Sequence, residues 1–268
     1  MRLFAIPILK NRWAYYCHSK VPTQSRLMRA VNWSSKKWEA LGTADPDTWK
    51  RKLHDRGDSL MDQLDYQEWF LKNVPSKEDI EEATPITQVY HASMVSNTSV
   101  QHDLEKLLDE RKPYHRKYMF YSAYWVPVAC TFAIVPIIPN IPLAYNLFRL
   151  YSHYKAYKGA QLLQYLAQHD SLAYAPSSDI DLILESTDFV RSDQLRIPDQ
   201  IAEAYAQSQK AQQHAAALQN DIPGTLSLSQ IAQLARHFES PGMEVELKRA
   251  RFQILDAIAR EKYDPKSK

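Results

Sequence analysis

The sequence predicts a mainly helical α+β fold, with a small N-terminal β-element and a Pro-interrupted apolar helical hairpin. Three observations carry this. β-Formers cluster in Leu3–Leu9 and Trp13–His18, and apolar residues recur at helical spacing along most of the remaining chain. Residues 118–148 run without a single charged side chain, yet hold Pro127, Pro136, Pro139 and Pro142. With 268 residues there is room for one large domain or two small ones.

Lys10, Asn11 and Arg12 separate the two β-rich runs, so a hairpin beginning near the first residue is expected. Leu27, Val31, Trp38 and Leu41 place a helix over Ser25–Leu41, stopped at Gly42. Asp47 suits the cap of a second helix running to Leu64, with Trp49, Leu53, Leu60 and Leu64 on one side, and Tyr66–Val74 closes that unit. Ser76 and Asp79 resemble a capped short acidic helix whose carboxylates form a solvated face. Ile86–His91 has strand character, and Val100–Arg111 reads as an amphipathic helix with Leu104, Leu107 and Leu108 on its apolar side. Leu150–Gln168 continues helically until Ala175–Ser178 breaks it. Pro198 and Asp199 suit the first turn of an Ala/Gln-rich helix over 198–219, a solvated connector. Leu228, Ile231, Leu234 and Phe238 mark a further helix, which turns at Ser240, Pro241 and Gly242 and returns along Val245 to Ile258. The organisation expected is an N-terminal α+β region (1–117), an apolar membrane-associated hairpin (118–158), an acidic then Ala/Gln-rich connector (159–220) and a C-terminal helical module (221–268).

Charge is uneven along the chain although the net value is only +2. Eight Lys and Arg residues precede the first acid, Glu39. An acid-free, Arg-containing start is the composition of a mitochondrial targeting segment, but Pro7 and the hairpin fit a structured, retained N-terminus that leaves import to internal signals. Cys17 and Cys130 are too few and too far apart for a disulfide framework or a zinc site, which fits a reducing compartment.

The apolar run is long enough to cross a bilayer core of about 30 Å, for which about 20 helical residues suffice. Its prolines would break a straight helix in the C-terminal half, so the hairpin turn is assigned to Pro136, Pro139, Asn140 and Pro142. Each arm then has about 15 residues, or about 22 Å of helix, and a re-entrant or shallow hairpin is preferred. A single tilted span and a buried helical hairpin are the alternatives. The membrane-contacting residues expected are Tyr121, Trp125, Val128, Phe132, Ile134, Ile137, Ile138, Leu143, Leu147 and Phe148. Arg111, Lys112, Arg116, Lys117, Arg149, Lys155 and Lys158 flank the run as headgroup contacts and place both ends in one compartment. His115 and His153 stand at the same flanks, where the expectation is a surface or headgroup-facing position, with pH sensing as the sharper reading.

Several blocks carry a resemblance. Met1 to Ile8 with Tyr16-Cys17-His18, His115-Arg116-Lys117, the block Val135 to Pro142 and Tyr151-Ser152-His153-Tyr154-Lys155-Ala156 resemble the mitochondrial K+/H+ exchange-related protein family of fungi. Trp49–Val74 and Leu226–Gln253 are similar more loosely, and the Ala/Gln-rich stretch is not matched. The resemblance implies a protein of the mitochondrial inner membrane, tied to potassium/proton exchange and organelle volume; a matrix-facing placement is expected with it, and membrane lipids and other subunits of the exchange system are the expected partners. It implies no catalytic residue and no cofactor.

An exchanger moving K+ and H+ needs ionisable groups at membrane depth, and residues 118–148 have no acid, base or histidine. A regulatory or assembly subunit therefore fits better than the carrier itself. An enzyme is disfavoured: no H-E-x-x-H, G-x-S-x-G, P-loop or G-x-G-x-x-G occurs, and the five glycines are scattered. A soluble matrix adaptor and an RNA-binding protein are the rivals. The basic residues 1–38 lack an RNA-binding motif and suit anionic headgroups equally, so no nucleic acid is expected as a partner.

Overall fold

Strand β1 (Arg2–Leu9) carries apolar residues on both of its faces, as an inner strand of a covered sheet does. The computed structural model describes residues 1–19, 64–79, 86–131, 141–206 and 220–263, with 43, 45, 48, 51–52 and 218. Met1–Ser19 and Tyr66–Lys268 form one unit, and Lys20–Asp65 a second. In the second unit the Thr48 hydroxyl accepts from the Arg51 amide at 3.4 Å, so the described helical turn at 51–52 is capped by Thr48. Asp47 and the proposed helix over Ser25–Leu41 lie outside the described residues.

β1 pairs antiparallel with β2 (Arg12–His18), as the hairpin reading expects. β1 also pairs parallel with β3 (Thr87–His91), and β3 parallel with β4 (Leu172–Pro176), giving the sheet order β2-β1-β3-β4. A near-continuous apolar strand is what a sheet covered on both faces requires. Leu3, Ala5, Tyr15 and Cys17 point to one face, and Phe4, Ile6, Ala14 and Tyr16 to the other. Pro7, which has no amide hydrogen, sits beyond the pairing with β3, just where the β1–β2 register shifts. There the loops take over the backbone groups: Leu226 N donates to Ile8 O and Lys10 N to Val190 O.

Helices cover both faces. Against Phe4 and Ile6 pack α4 (Ser178–Leu184), α5 (Asp199–Ala206), α6 (Leu228–His237) and α7 (Pro241–Tyr263). Against Leu3 and Ala5 pack α1 (Tyr66–Asn73), α2 (Asn97–Thr131) and α3 (Ile141–Gln168). Each fully buried Leu or Phe contributes about 1.5–3 kcal/mol. The α6–α7 pair matches the sequence reading, with Ser227 and Gln230 forming a capping box at its start. Buried Arg251 on α7 donates Nε, Nη1 and Nη2 to the carbonyls of Leu226, Leu218 and Asn220 at 2.7, 3.0 and 2.8 Å, holding the preceding loop.

Helices α2 and α3 form the expected hairpin and also serve as the crossover from β3 to β4. Val100, Leu104, Leu107 and Leu108 seat α2 on the sheet. α2 then runs on through Pro113 and Pro127, and the break expected at Pro136 and Pro139 lies outside the described residues. Both prolines stand on exposed positions, where water can take up the carbonyls they leave free. On α3, Gly159 lets the helix press against α1: a Cβ there would sit 2.0 Å from the Leu71 carbonyl oxygen.

Candidate functional site

Past His115 on α2, and before Phe148 on α3, the two arms pack on each other, with Asn146 donating to the Ser122 carbonyl at 3.0 Å. At that point α1 closes against them, and Glu68, Arg149, Ser152, His153 and His115 come together. On α2, Arg111, Tyr114, His115 and Tyr118 share one face at i, i+3, i+4 and i+7; on α3, Arg149, Ser152 and His153 do the same. Glu68 comes from the first turn of α1, where a carboxylate is favoured by the helix dipole. Glu68, His115, Ser152 and His153 are all buried.

The hydrogen bonds run in a chain. Arg149 donates Nη1 to Glu68 Oε1 at 2.9 Å and Nη2 to Oε2 at 3.3 Å, and Ser152 Oγ donates to Oε1 at 2.5 Å. Arg149 Nη2 also donates to His153 Nε2 at 2.9 Å. Guanidinium has no lone pair to offer, so His153 Nε2 is the acceptor and its proton stands on Nδ1. That Nδ1–H donates across the hairpin to His115 Nδ1 at 3.1 Å. His115 therefore carries its proton on Nε2, a buried atom without a hydrogen-bond partner. Tyr114 and Tyr118 cover the imidazoles, with centroids 5.2 Å from His115 and 5.7 Å from His153, respectively.

Electrostatics follow from this packing. Burial pushes His115 down to about 4, helped by its partner His153 and by Arg111 and Arg149 against the pull of Glu68. Burial and then Arg149 push His153 down to about 4 as well. Both rings are neutral at neutral pH. Burial raises the Glu68 carboxyl, but the Ser152 hydroxyl and the Arg149 guanidinium outweigh it and hold the group below its ordinary value. Lys72, one turn along α1, is pushed down to about 8 by burial and stacks over Trp69 at 3.9 Å.

Glu68, His115 and His153 offer ligand atoms that all lie within 4.8 Å of one another, the one such group among the described residues. The 3.1 Å between the two Nδ1 atoms is near the edge of a tetrahedron with bonds of about 2.1 Å. The surrounding shell does not fit a metal. A ligating histidine normally gives its second N–H to an acceptor, whereas His153 Nε2 faces a guanidinium donor and His115 Nε2 faces no acceptor. The cation this cluster holds is Arg149 itself.

Of the residues the sequence assigned to the membrane, Tyr121, Trp125, Val128 and Leu147 are exposed, Leu143 and Phe148 are half-buried, and Phe132, Ile134, Ile137 and Ile138 lie outside the described residues. So do Pro136, Pro139 and Asn140 of the turn, while Pro142 lies in the first turn of α3. Of the flanking bases, Arg116 and Lys117 are exposed and Lys155 is half-buried. Arg111 bonds Gln67 at 2.5 Å, Arg149 bonds Glu68 and Lys158 bonds Glu78 at 2.5 Å, so these three tie the hairpin into the fold, while Lys112 bonds Gln164 and joins the two arms. His115 and His153, expected at the surface, are 1% and 2% exposed because α1 closes over them. Among the described residues no helix is long and apolar enough to cross a membrane, so a single tilted span finds no helix there.

A sequence-family model described as mitochondrial K+-H+ exchange-related matches residues 2–167, which take in β1 to β3, both arms of the hairpin and every residue of the buried cluster. The chain belongs to that family. As a member of the mitochondrial K+-H+ exchange-related family it is similar to an uncharacterized protein of Saccharomyces cerevisiae, YDL183C, with 25% identity over 70% of this chain and 63% of that protein. It is also similar to an uncharacterized protein of Schizosaccharomyces pombe, C23H3.12c, with 21% identity over 54% of this chain and 66% of that protein. The chain thus matches just under two thirds of the length of either relative. No solved structure matches it. Membership ties this family member to mitochondrial K+/H+ exchange, and the family is described by that exchange, not by a catalysed reaction.

Proposed function

We propose that the protein is a non-enzymatic, membrane-associated subunit or regulator of mitochondrial K+/H+ exchange and volume homeostasis, working at the matrix face of the inner membrane. The observation that carries this reading is the tip of the hairpin. Beyond His115 it turns Phe120, Tyr121, Tyr124, Trp125 and Val128 outwards, joined by Tyr145 and Leu147 from the other arm, with Tyr124 78% exposed. Amphipathic rings of this kind favour the boundary between headgroups and hydrocarbon. With the turn assigned from the sequence to Pro136, Pro139, Asn140 and Pro142, each arm of the apolar run has about 15 residues, or about 22 Å of helix, less than the roughly 30 Å of a bilayer core, which supports a hairpin that dips in and returns. Exposed Arg116 and Lys117 stand at its foot, where anionic headgroups would lie.

A regulator fits better than a carrier because the ionisable groups that ion passage needs stand at the base of the hairpin, not between residues 118 and 148. Membrane lipids and other subunits of the exchange system are the partners this role calls for. Carbonate extraction of isolated mitochondria with protease protection of both termini tests it. Retention in the pellet with both ends shielded in the matrix is expected. Release into the supernatant would favour a soluble matrix adaptor, and proton-coupled K+ flux by the purified protein in liposomes would make it the carrier.

A further inference from the structure

The described buried ionisable groups of the hairpin base form one hydrogen-bonded chain in which every proton has an assigned place. We propose that Glu68, Arg149, His153 and His115 form a proton-binding latch, closed while both imidazoles are neutral and opened by the protons they take up when α1 parts from the hairpin base. The inference stands whether or not the tip touches a membrane.

The geometry sets the rule. His153 has its Nδ1 proton committed to His115, so a second proton can enter only at Nε2, and there it removes the acceptor that Arg149 uses. His115 can take a proton only at Nδ1, which removes the acceptor that His153 uses. Either proton breaks one link of the chain and adds a cation to a sealed space. That space already faces Arg149 from α3, Lys72 from α1 and Arg111 from α2, with Glu68 the carboxylate in contact, Glu246 and Arg249 of α7 lying towards Lys72, and the phenols of Tyr114 and Tyr118 from α2 closing it. Separation of α1 from the arms returns both rings to water, where an imidazole binds its proton near pH 6.5. The open state binds protons more tightly, so acid favours opening. In sign, the latch is stable above the open-state value and weakens as pH falls from about 6.5 towards 4. Between pH 7.5 and 5.5 the open-to-closed ratio rises about tenfold for each histidine, and about a hundredfold when both respond. Glu68 stays ionised over that interval and adds nothing to it.

Amide hydrogen exchange on the full chain, corrected for the intrinsic pH dependence, reads this directly over residues 66–73 and 149–156. The expected result is an opening equilibrium raised ten- to a hundredfold at pH 5.5 relative to pH 7.5, and flat in the His115→Gln/His153→Gln variant, whose carboxamides accept and donate but do not titrate. Unchanged protection in the natural protein, or an undiminished pH response in the variant, would overturn the latch. Nitrogen NMR of the imidazoles in the natural protein needs no variant: at pH 7.5, neutral rings protonated on Nδ1 of His153 and Nε2 of His115 are expected. A charged ring or the opposite tautomers at that pH would equally sink the proposal.

Discussion

Arg149 grips Glu68 with both arms of its guanidinium, at 2.9 and 3.3 Å, joining residues 81 positions apart. The side chains are 16% and 4% exposed, so removing one partner strands the other in a space that cannot hydrate it. Arg149→Met is expected to cost about 3 kcal/mol in urea denaturation, and Glu68→Gln combined with it should cost less than the two changes summed. A loss below about 1 kcal/mol for Arg149→Met would mean that water already reaches the pair.

Gly159→Ala separates two effects of opposite sign. In an exposed helix the change would stabilise by about 1 kcal/mol. Here the new Cβ meets the Leu71 carbonyl oxygen at 2.0 Å and the Val74 Cβ at 3.0 Å, neither of which can move without shifting α1. A net loss of about 2–3 kcal/mol is expected from this overpacking, with a lower thermal midpoint as the readout.

Helix α6 ends on a side chain in a glycine's conformation. Glu239 has φ 50°, with Ser240 N bonded to Ala235 O at 2.8 Å and Glu239 N to Arg236 O at 3.2 Å, the pattern of a Schellman cap. Glu239→Gly should therefore stabilise by about 1 kcal/mol, through relief of the left-handed strain. Chemical denaturation showing a loss would mean that the carboxylate makes a contact worth more than the strain.

Trp125→Ser with Tyr124→Ser is expected to leave the fold in place, since Tyr124 is 78% and Trp125 50% exposed. The expected outcome is an unchanged thermal midpoint with vesicle flotation reduced severalfold, on vesicles containing anionic phospholipid. Equal flotation of variant and natural protein would remove the tip from the membrane reading.

The elements legible in the chain were those with local signals: the run Leu3–Leu9 with Trp13–His18, the strand at Ile86–His91, and the α6–α7 pair with its Ser-Pro-Gly turn. β4 carries no strand signal, and the sequence shows only the helix break at Ala175–Ser178, because Leu172–Pro176 is four half-buried residues and an exposed proline and offers no alternation to detect. The inner position of β1 is written in its unbroken apolar run, the mark of a strand covered on both faces, which a hairpin reading alone leaves unused. Both histidines stand in the blocks that carried the family resemblance, yet nothing local to 115 or 153 announces Glu68. Their burial depends on α1, whose Glu68 stands 47 positions before His115 and 85 before His153, a tertiary event that spacing along one helix does not encode.

Because the hairpin is spliced between two neighbouring parallel strands, it cannot be trimmed away without cutting the sheet in two. Its tip, by contrast, can be lengthened, shortened or exchanged with no change of strand order. The outer arms are cross-braced where Asn146 donates to the Ser122 carbonyl at 3.0 Å. They form a boom stepped into a rigid deck, and a sideways load on its end is borne first at the footing where α1 is lashed to both spars.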